Sequence, residues 1–450
     1  MKIGVIGAGY VGLTTGISLA AKKHQIIIFD IDDAKINNIR KKRMPFFEIG
    51  LQELLENTTS ENHLISTNEL DFLVQNTDGC FICVGTPTKN NAIDVSYIKN
   101  AVESLSYSIK HHNKENYVIV IRSTVVPTTT QEILLPIIKE ILVNQKFHLC
   151  VVPEFLREGN ALDDFMNPDK IVIGSIDEYG SRFVEDVFID FKDNCEFIHT
   201  TLETAELIKY TNNSFFSMLI SFSNEIANIA EKIPNVDPYK VLKALVSDKR
   251  ITSKINGKKI VPSLDSYLIP GCGFGGSCFP KDVRAILNFA HSQKIDTPLL
   301  NAILQINDER PDKIVTLCES ILGTLRNKKI SILGLTFKPD TDDIRSSPSI
   351  DAIKLFLQKG ATVSTYDPVI KNISNVISLP KECESSLTIE ESLQDSDAAV
   401  LFTKWAEFKS LNSEFLEKFM KKPLIIDGRG FLEKERFQVG TYYKIGFLEK

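Results

Sequence analysis

The first third of the chain alternates short apolar runs with helix-forming stretches, and this alternation limits the possible folds more than any other feature. The runs that predict strands are Lys2–Ile6, Gln25–Asp30, Gly79–Val84, Tyr117–Arg122, Leu149–Val152 and Lys170–Ile173. Strands that alternate with helices usually pair in parallel, because each helix carries the chain back to the same edge of the sheet. We therefore predict a parallel sheet with helices on both faces over residues 1–200.

The same alternation begins again in the last third of the chain. Strands are predicted at Lys329–Leu335, Thr362–Asp367, Ala398–Phe402 and Leu424–Asp427, with a helix at Ser349–Lys359. Between the two thirds, a helical pattern extends from Glu203 to Lys232, which would form a rod of about 45 Å. A chain of 450 residues also exceeds what one hydrophobic core supports.

These patterns predict an α/β protein in which two doubly wound, Rossmann-like domains are joined by a helical central domain with a long spine helix. The predicted boundaries are 1–200, 201–314 and 315–450.

A glycine-rich turn follows the first predicted strand directly. Gly7-Ala8-Gly9-Tyr10-Val11-Gly12 fits G-x-G-x-x-G and opens a predicted helix, Val11–Lys22. Glycines there let the backbone approach a pyrophosphate, and the helix N-terminus offers N–H groups to it. Asp30 ends the second strand, where a carboxylate would bind ribose hydroxyls and repel a 2′-phosphate, so NAD is favoured over NADP. The alternative is a glycine-rich turn without a ligand.

Three further side chains are predicted cofactor contacts because of their positions. Lys35 could reach the ribose, although a solvated lysine on a helix face is an equal alternative. Thr86 and Thr124 each follow a predicted strand, where open α/β sheets place their ligands. Ordinary turn chemistry would explain both threonines equally well.

Composition excludes several other classes of protein. The formal net charge of −6 disfavours a nucleic-acid partner, which requires basic patches. No apolar run approaches the about 18–20 residues of a membrane span, and the N-terminus leads straight into a strand, so we expect a cytoplasmic protein. The eight cysteines are scattered. Cys80 and Cys83 form a lone C-x-x-C in an apolar run, which predicts buried strand cysteines and no metal site.

The stretch Gly271-Cys272-Gly273-Phe274-Gly275-Gly276-Ser277-Cys278-Phe279-Pro280-Lys281-Asp282 contains the strongest candidate nucleophile. Such glycine density lets a backbone pass close to a ligand. Cys278 lies near Lys281, which would favour its thiolate. A thiolate adds to an aldehyde, and the thiohemiacetal that forms is a good hydride donor to NAD. Without the NAD site, a buried inert cysteine would be the better interpretation.

Five stretches of the chain together resemble the UDP-glucose/GDP-mannose dehydrogenase family over nearly the full length. They are Gly7–Gly12, Val152–Gly159, Lys209–Asn213, Gly275–Asp282 and Phe337–Arg345. The resemblance implies oxidation of a sugar C6 alcohol to a carboxylate, with two NAD reduced per sugar and the aldehyde kept bound. A nucleotide sugar is therefore the expected substrate, and no metal is needed. The resemblance also implies that the first domain binds NAD, that the second carries catalysis and dimerisation, and that the third binds the nucleotide of the substrate.

The resemblance also implies a role for each residue. Cys278 would form the thiohemiacetal and the thioester, and Asp282 and Thr124 would hold a water for proton transfer and hydrolysis. Glu154 would act as general acid or base, while Lys209 and Asn213 would stabilise the developing alkoxide. The other implied contacts are Glu158 and Arg345 with NAD, and Phe155, Leu156, Lys209, Asn213, Arg250, Tyr267, Phe274, Gly275, Lys338 and Arg429 with the substrate.

Most of these residues have ordinary structural alternatives. Lys209 could be a solvated helix charge, Asn213 a polar helix residue and Glu154 a helix cap or salt-bridge partner. Tyr267 and Phe274 could be core aromatics. The charges between Lys338 and Arg345 could form an internal cluster, with Asp340, Asp342 and Asp343 as the acidic members.

Arg250 resembles an arginine that reaches the neighbouring subunit in this family, which implies a homodimer. The chain departs from the family between Arg250 and the glycine-rich loop, where Ile255–Ser266 looks inserted. This insertion puts the roles of Arg250 and Tyr267 in doubt.

Several functions remain open at this point. By resemblance, Tyr366-Asp367-Pro368-Val369 and Asp427-Gly428-Arg429 favour UDP-glucose over GDP-mannose, and the glycine-rich loop disfavours UDP-N-acetylhexosamines. A two-electron β-hydroxyacid dehydrogenase is a second candidate, although it needs neither Cys278 nor a second nucleotide-binding domain. A non-catalytic nucleotide-sugar sensor is the third, and it would not require the thiol.

Overall fold

The apolar runs of the first third form a twisted sheet in a computed structural model, which describes residues 1–89, 92–255, 258–370 and 383–447. The chain divides into two compact units, Met1–Asn212 and Asn213–Lys450. The strands of the first unit are β1 (Lys2–Ile6), β2 (Gln25–Phe29), β3 (Leu64–Thr67), β4 (Gly79–Ile82), β5 (Thr88–Lys89), β6 (Ala92–Ile93), β7 (Tyr117–Ile121), β8 (Phe147–Val151), β9 (Lys170–Ser175) and β10 (Glu196–Thr200).

Eight of these strands form one sheet, in the order β10-β9-β8-β7-β4-β1-β2-β3. The run β3-β2-β1-β4-β7-β8 is parallel and has the strand order of dinucleotide-binding sheets. The predicted all-parallel sheet is wrong at one position, because β9 runs antiparallel to β8. The apolar run alone predicts a strand but carries no information on its direction.

Helices cover both faces of this sheet, and two buried apolar clusters fill the layers. The helices of the first unit are α1 (Tyr10–Ala21), α2 (Asp33–Arg40), α3 (Leu51–Ser60), α4 (Leu70–Asn76), α5 (Ser96–His111), α6 (Leu135–Ile141), α7 (Ala161–Met166) and α8 (Glu178–Val187). The predicted spine helix is confirmed as α9 (Leu202–Ala230), with 29 residues. It begins in the first unit and continues in the second.

The second unit contains helices and a second parallel sheet. Its helices are α10 (Pro238–Val246), α11 (Phe279–Ser292), α12 (Pro298–Asp308), α13 (Arg310–Leu322), α14 (Pro348–Gln358), α15 (Ile389–Leu393) and α16 (Ser413–Phe419). Its strands are β11 (Ser253–Ile255), β12 (Lys258–Ile260), β13 (Lys329–Leu333), β14 (Thr362–Tyr366), β15 (Cys383–Ser385), β16 (Ala398–Leu401), β17 (Ile425–Asp427) and β18 (Tyr442–Lys444).

Six of the strands make the order β15-β14-β13-β16-β17-β18, all parallel. The prediction of a second doubly wound sheet is therefore confirmed. In the segment that looks inserted, β11 and β12 form a small antiparallel hairpin. Residues 256–257 of that segment lie outside the described residues. Within the described part of the chain, no helix has both the length and the apolar character needed to cross a bilayer.

Candidate active site

The glycine-rich turn after β1 uses its three glycines for different purposes. Gly7 has a φ of +106°, and a Cβ there would lie 2.8 Å from the carbonyl oxygen of Cys83. A Cβ on Gly12 would lie 1.8 Å from the carbonyl oxygen of Gly7. A Cβ on Gly9, by contrast, would meet no atom within 4 Å. Gly7 and Gly12 are thus required by packing within the protein, whereas Gly9 leaves space for a ligand.

The helix N-terminus beside this turn suits an anion. Gly9 is the N-cap of α1, and no side chain of the described residues caps it. The first N–H groups and the positive end of the helix dipole therefore face the turn without a protein carboxylate. Asp30 lies at the end of β2, where its Oδ2 accepts a hydrogen bond of 2.7 Å from the backbone of Ala8. These residues fit NAD.

Lys35 and Tyr10 make contacts within the first unit. Lys35 Nζ lies 3.3 Å from Asp30 Oδ2, so its charge is partly balanced there. The Tyr10 hydroxyl donates to Glu48 at 2.5 Å, and burial together with this carboxylate raises the pKa of Tyr10. Glu48 also accepts the backbone N–H groups of Gly159 and Ala161. Glu48 therefore links the glycine-rich turn to the segment that contains Glu158. No sequence motif indicated this role.

The two predicted threonines meet at the carboxyl ends of neighbouring strands. Thr86 follows β4 and donates through its hydroxyl to the carbonyl oxygen of Thr124, at 2.8 Å. Ser123 links the same two loops by donating to the carbonyl oxygen of Val84, at 2.7 Å. Thr124 is partly exposed. The two loops are thus fixed to each other at the edge where sheets of this type bind ligands.

Glu154 and Lys209 form a buried ion pair in the first unit. Lys209 Nζ lies 3.0 Å from Glu154 Oε1 and 2.7 Å from the Glu154 carbonyl oxygen. Burial alone would raise the pKa of Glu154. The Lys209 ammonium, the backbone N–H of Leu156 and the Arg122 guanidinium outweigh burial, so the net shift of this pKa is downward. The alternative of a solvated Lys209 is therefore wrong, since only 5% of its side chain is exposed.

Phe155 lies beside this ion pair. Its ring is 5.5 Å from Lys209 Nζ and 4.3 Å from Lys170 Nζ. The two ammonium groups therefore gain cation–π attraction from one ring. Leu156 is half-buried and contributes its backbone N–H to Glu154 Oε2, at 2.6 Å.

In the second unit, Cys278 lies at the N-cap of α11, half-exposed. The following turn contains Asp282, which is 1% exposed. Asn213 donates to Asp282 Oδ2 at 2.6 Å, and Lys281 lies 2.5 Å from Asp282 Oδ1. The helix N-terminus favours negative charge on the Cys278 sulfur. Lys281 pairs with Asp282, so the predicted effect of Lys281 on the thiol is shared with this carboxylate.

Of the other seven cysteines, six are buried, and Cys195 is half-exposed just before β10. Cys272, in the same loop as Cys278, is fully buried, and burial raises its pKa to about 11. Burial likewise raises the pKa of Cys83, Cys150 and Cys318 to about 12 each. The prediction that Cys80 and Cys83 are buried is confirmed, but only Cys80 lies in a strand, because β4 ends at Ile82.

The paired glycines before Cys278 are required by packing in the second unit. A Cβ on Gly275 would lie 2.4 Å from the carbonyl oxygen of Ser346. Gly276 has a φ of +83°, and its Cβ would lie 2.7 Å from the Phe337 ring. The Gly276 N–H also donates to the carbonyl oxygen of Arg345, at 2.8 Å. Gly275 and Gly276 therefore allow this loop to pack closely against the segment from Phe337 to Ser346. The sequence alone did not show this contact.

A cavity of about 100 Å³ lies in the second unit and has a cationic lining. Lys338, Lys404 and Arg429 line it together with Tyr267, and none of the described lining residues is acidic. Its volume is below the about 300–1,000 Å³ of typical ligand sites, so it fits part of a substrate, such as one phosphate. Burial, followed by the charge of Arg429, lowers the pKa of Lys404.

Lys404 was not predicted from the sequence, although one signal pointed to it. It follows β16, a central strand of the sheet, and the carboxyl ends of such strands are where ligands bind. Arg429 donates to the backbone carbonyl oxygens of Phe402, Gly273 and Phe337, which holds the guanidinium in place at the cavity wall.

Three predicted contacts have an ordinary structural role. The Phe274 side chain is 5% exposed and packs in an apolar cluster with Val283 and Ile303, which supports the core alternative. Arg345 pairs with Asp343 at 2.8 Å, as the internal-cluster alternative predicts for this residue. Arg250 pairs with Asp248 at 2.9 Å, with 83% of its side chain exposed.

Family models match the chain in three consecutive segments. Residues 1–192 match the NAD binding domain of the UDP-glucose/GDP-mannose dehydrogenase family. Residues 203–309 match the central domain of that family, and residues 331–434 match its UDP binding domain.

Similar proteins share the whole length of the chain. UDP-glucose 6-dehydrogenase TuaD of Bacillus subtilis is 35% identical over 98% of this chain and 92% of its own. UDP-glucose 6-dehydrogenase of Rickettsia bellii is 37% identical over 99% of both chains. The structure of a UDP-glucose dehydrogenase from Pyrobaculum islandicum has a TM-score of 0.89 at 31% identity, covering 99% of this chain and 98% of that one. A UDP-D-ManNAc dehydrogenase from Pyrococcus horikoshii has a TM-score of 0.85 at 26% identity, covering 99% of both chains. This NAD-dependent enzyme belongs to the UDP-glucose/GDP-mannose dehydrogenase family.

Proposed function

We propose that this enzyme oxidises the C6 alcohol of UDP-glucose to a carboxylate, using two NAD and one water per sugar. The observation that carries the proposal is the half-exposed Cys278 at the N-terminus of α11, one turn before the buried Asp282. A two-electron alcohol dehydrogenase has no need of such a thiol. Full-length relatives named UDP-glucose 6-dehydrogenase support the choice of sugar.

The thiol explains how the aldehyde is carried to the acid. The Cys278 thiolate adds to the C6 aldehyde, which forms a C–S bond and places the negative charge on oxygen. Oxidation of this thiohemiacetal gives a thioester, and water then attacks the carbonyl carbon, which breaks the C–S bond and returns the thiol. When bound, NAD would supply the hydride acceptor for both oxidations.

An ammonium group and an amide group would stabilise the oxygen that becomes negative. We assign this role to the Lys209 ammonium and the Asn213 amide, with Glu154 as the group that exchanges a proton with the substrate or water. Buried donors act strongly on a developing oxyanion because little water screens them. The Asn213–Asp282 hydrogen bond orients the carboxylate that would accept a proton from the hydrolytic water, which Thr124 would help to hold.

The cationic cavity of the second unit supports a substrate with a diphosphate. Lys338 and Arg429 are the predicted contacts, and Lys404 adds a third positive charge. A phosphate removed from water requires such cations. The predicted UDP-binding role of the third domain is in line with the match of residues 331–434.

An NADH-formation assay with UDP-glucose, GDP-mannose, UDP-galactose and UDP-N-acetylmannosamine tests this proposal. We expect UDP-glucose to give the highest kcat/KM and two NADH per sugar. One NADH per sugar would instead indicate the β-hydroxyacid dehydrogenase alternative. No turnover of any nucleotide sugar would leave the sensor alternative.

A Cys278→Ser variant separates the chemistry from substrate binding. The serine hydroxyl is a poor nucleophile at neutral pH, so steady-state turnover should fall by about 10³-fold or more. Binding of UDP-glucose, measured by calorimetry, should change little. Cys318→Ser is the matched control, because Cys318 is buried on α13 and burial raises its pKa to about 12, and we expect this variant to retain turnover in the folded fraction.

We further propose that the enzyme is a homodimer that uses α9. Phe215, Phe222 and Ile229 are spaced by seven residues on this helix and are 47%, 41% and 56% exposed. Such spacing places them along one stripe, as in helices that pair with a second copy. Phe222→Glu should convert the dimer to a monomer in light scattering, whereas Val143→Glu, at an exposed position on another element, should not.

The domain boundaries 1–200, 201–314 and 315–450 also stay a proposal, supported by the three matched ranges 1–192, 203–309 and 331–434. A cytoplasmic location is supported by the eight free thiols, which persist in a reducing compartment.

A further inference from the structure

The segment Gly271–Phe274, which leads to Cys278, is held by side chains and not by secondary structure. Asn224 Oδ1 accepts the N–H of Gly271 at 2.8 Å, and Arg310 Nε donates to the carbonyl oxygen of the same glycine at 2.9 Å. Asn307 binds both polar groups of the Phe274 backbone, at 2.7 Å to the N–H and 3.1 Å to the carbonyl oxygen. All of these atoms lie in the second unit.

Asn307 also determines the path of the backbone between these points. Gly273 has a φ of +95°, and a Cβ there would lie 2.6 Å from Asn307 Oδ1. The asparagine therefore packs directly against a glycine that has a left-handed conformation. The hydrogen bonds of Asn307 and its packing against Gly273 thus hold the backbone of Gly273 and Phe274 in one conformation.

Burial of the charged Arg310 side chain costs desolvation free energy. We therefore look for a role of Arg310 other than stabilising the fold. Its side chain is completely buried, and burial lowers its pKa. Nη1 donates to Asn228 Oδ1 at 2.8 Å, while Nη2 has no partner among the described residues. An apolar side chain of similar volume would avoid this desolvation. Such groups are retained where they specify one arrangement of the backbone.

We propose that Asn307 and Arg310 are positioning residues for the oxidation, because they hold Gly271–Phe274 and thereby fix the position of Cys278 at the start of α11. This inference rests on the proposed role of Cys278 as nucleophile. Neither residue touches the reacting atoms in this scheme. They act through the loop, whose Gly271 and Gly273 also form part of the cationic cavity wall.

The test compares two variants that should lose a similar amount of free energy of unfolding. Asn307→Leu keeps the side-chain volume but loses both hydrogen bonds, and the control removes apolar atoms elsewhere. Leu416→Ala is suitable, because Leu416 is fully buried on α16 in an apolar cluster that contains no residue of Gly271–Phe274. We expect Asn307→Leu to lower kcat for UDP-glucose about 10- to 100-fold, as a displacement of about 1 Å can do, with KM for NAD unchanged. Leu416→Ala should keep kcat. Equal kcat losses in the two variants would overturn the proposal.

A second readout does not depend on turnover. Carbamidomethylation of Cys278 by iodoacetamide, in which the sulfur displaces iodide, should be at least about fivefold slower in Asn307→Leu than in the control. Digestion of the full-length protein after the reaction and mass spectrometry of its peptides measure the rate. An unchanged rate would overturn the positioning role. If the wild type oxidised no nucleotide sugar and the rate still differed, the proposed function would fail while the positioning of the thiol would stand.

Asn307→Asp provides a conservative variant should Asn307→Leu fail to fold. A neutral aspartic acid can both accept from the Phe274 N–H and donate to its carbonyl oxygen, whereas the ionised carboxylate cannot donate. The kcat of Asn307→Asp relative to wild type should therefore rise as the pH is lowered. A constant ratio between pH 5.5 and 8.5 would overturn the proposal. Arg310→Lys should lower kcat in the same direction, since it loses the fork that reaches both Gly271 and Asn228.

Discussion

The two large sheets repeat one construction, with a glycine after one strand and an aspartate after its parallel neighbour. In the first unit, Gly7 follows β1 with a φ of +106°, and its N–H donates to the carbonyl oxygen of Phe29 at 2.8 Å. In the second unit, Gly334 follows β13 with a φ of +90°, and its N–H donates to the carbonyl oxygen of Tyr366 at 2.8 Å. In each sheet, an aspartate after the second strand accepts the next backbone N–H groups.

The difference lies two residues further along each turn. Gly9 in the first unit is open, whereas Thr336 in the second is 1% exposed and donates to Asp367 Oδ2 at 3.3 Å. The same carboxylate oxygen accepts the indole N–H of Trp405 at 3.1 Å. The second turn is thus filled by its own side chains, while the first leaves room for a pyrophosphate. A shared fold does not imply a shared ligand, and a single side chain decides which turn has space for one.

The largest expected effect comes from Gly334→Ala, which disturbs the filled turn. The new Cβ would lie 2.4 Å from Thr403 Cβ and 2.7 Å from the Thr403 nitrogen, at a φ that L-residues rarely adopt. Overpacking and the left-handed backbone together should lower the free energy of unfolding by about 3–5 kcal/mol. Urea unfolding followed by circular dichroism measures this loss in the free energy of unfolding. KM for NAD in the folded protein should not change, and a raised KM would show that the two turns are coupled.

Asp367→Asn should cost about 3 kcal/mol, because Asp367 Oδ2 accepts from Leu335, Thr336 and Trp405. The other oxygen, Oδ1, accepts the backbone N–H groups of Val369 and Ile370. The NH2 group of an amide would therefore face one of these two sets of donors. Thermal unfolding measures the loss of stability. Asp367→Glu is the control, because it keeps the negative charge but moves the carboxylate away from these donors. A variant as stable as wild type would mean that these hydrogen bonds add little to the filled turn.

Glu206 shows the opposite situation, a buried carboxyl with few donors. Its Oε1 accepts the Thr130 N–H at 2.9 Å, and its Oε2 has no partner among the described residues. Burial raises its pKa to about 7, in spite of the backbone N–H groups of Thr130 and Thr128. The folded protein therefore binds more protons than the unfolded chain between about pH 4.5 and 7, so stability should fall as the pH rises through this window.

Glu206→Gln should remove this pH dependence and raise the free energy of unfolding at pH 8 by about 2 kcal/mol. Denaturant titrations at several pH values measure the difference between variant and wild type. Glu103→Gln, at an exposed position on α5, is the control and should leave the profile unchanged. Parallel profiles for Glu206→Gln and wild type would contradict the assignment.

Much of the fold followed from the sequence because its central strands are buried apolar runs. In the two large sheets, the strands that were not predicted are β3, β10, β15 and β18, which are edge strands with polar or partly exposed residues. The short hairpin strands β5, β6, β11 and β12 were not predicted either. Their pairing depends on a neighbour already in place. The direction of β9 also depends on tertiary packing and not on its own residues.

The candidate site was predictable where residues act in a local motif, as Cys278 and Asp282 do on one helix. Lys404 was not, because a lone lysine has no sequence pattern. Only the folded second unit brings it to the same cavity as Lys338 and Arg429. The packing role of Gly275 and Gly276 was hidden for the same reason, since their partners, Phe337 to Ser346, are distant in sequence.

Gly9→Ala should have the smallest effect on the free energy of unfolding. It is also the most direct test of the contrast between the open turn at Gly9 and the filled turn at Thr336. Its Cβ would meet no protein atom within 4 Å, so the free energy of unfolding should stay within about 0.5 kcal/mol of wild type. The same Cβ would occupy space that NAD needs, so KM for NAD should rise about tenfold, equivalent to about 1.4 kcal/mol. KM for UDP-glucose serves as the internal control and should not change. An unaltered KM for NAD would mean that the open space at Gly9 is not where the cofactor binds, and the contrast between the open and the filled turn would lose its functional meaning.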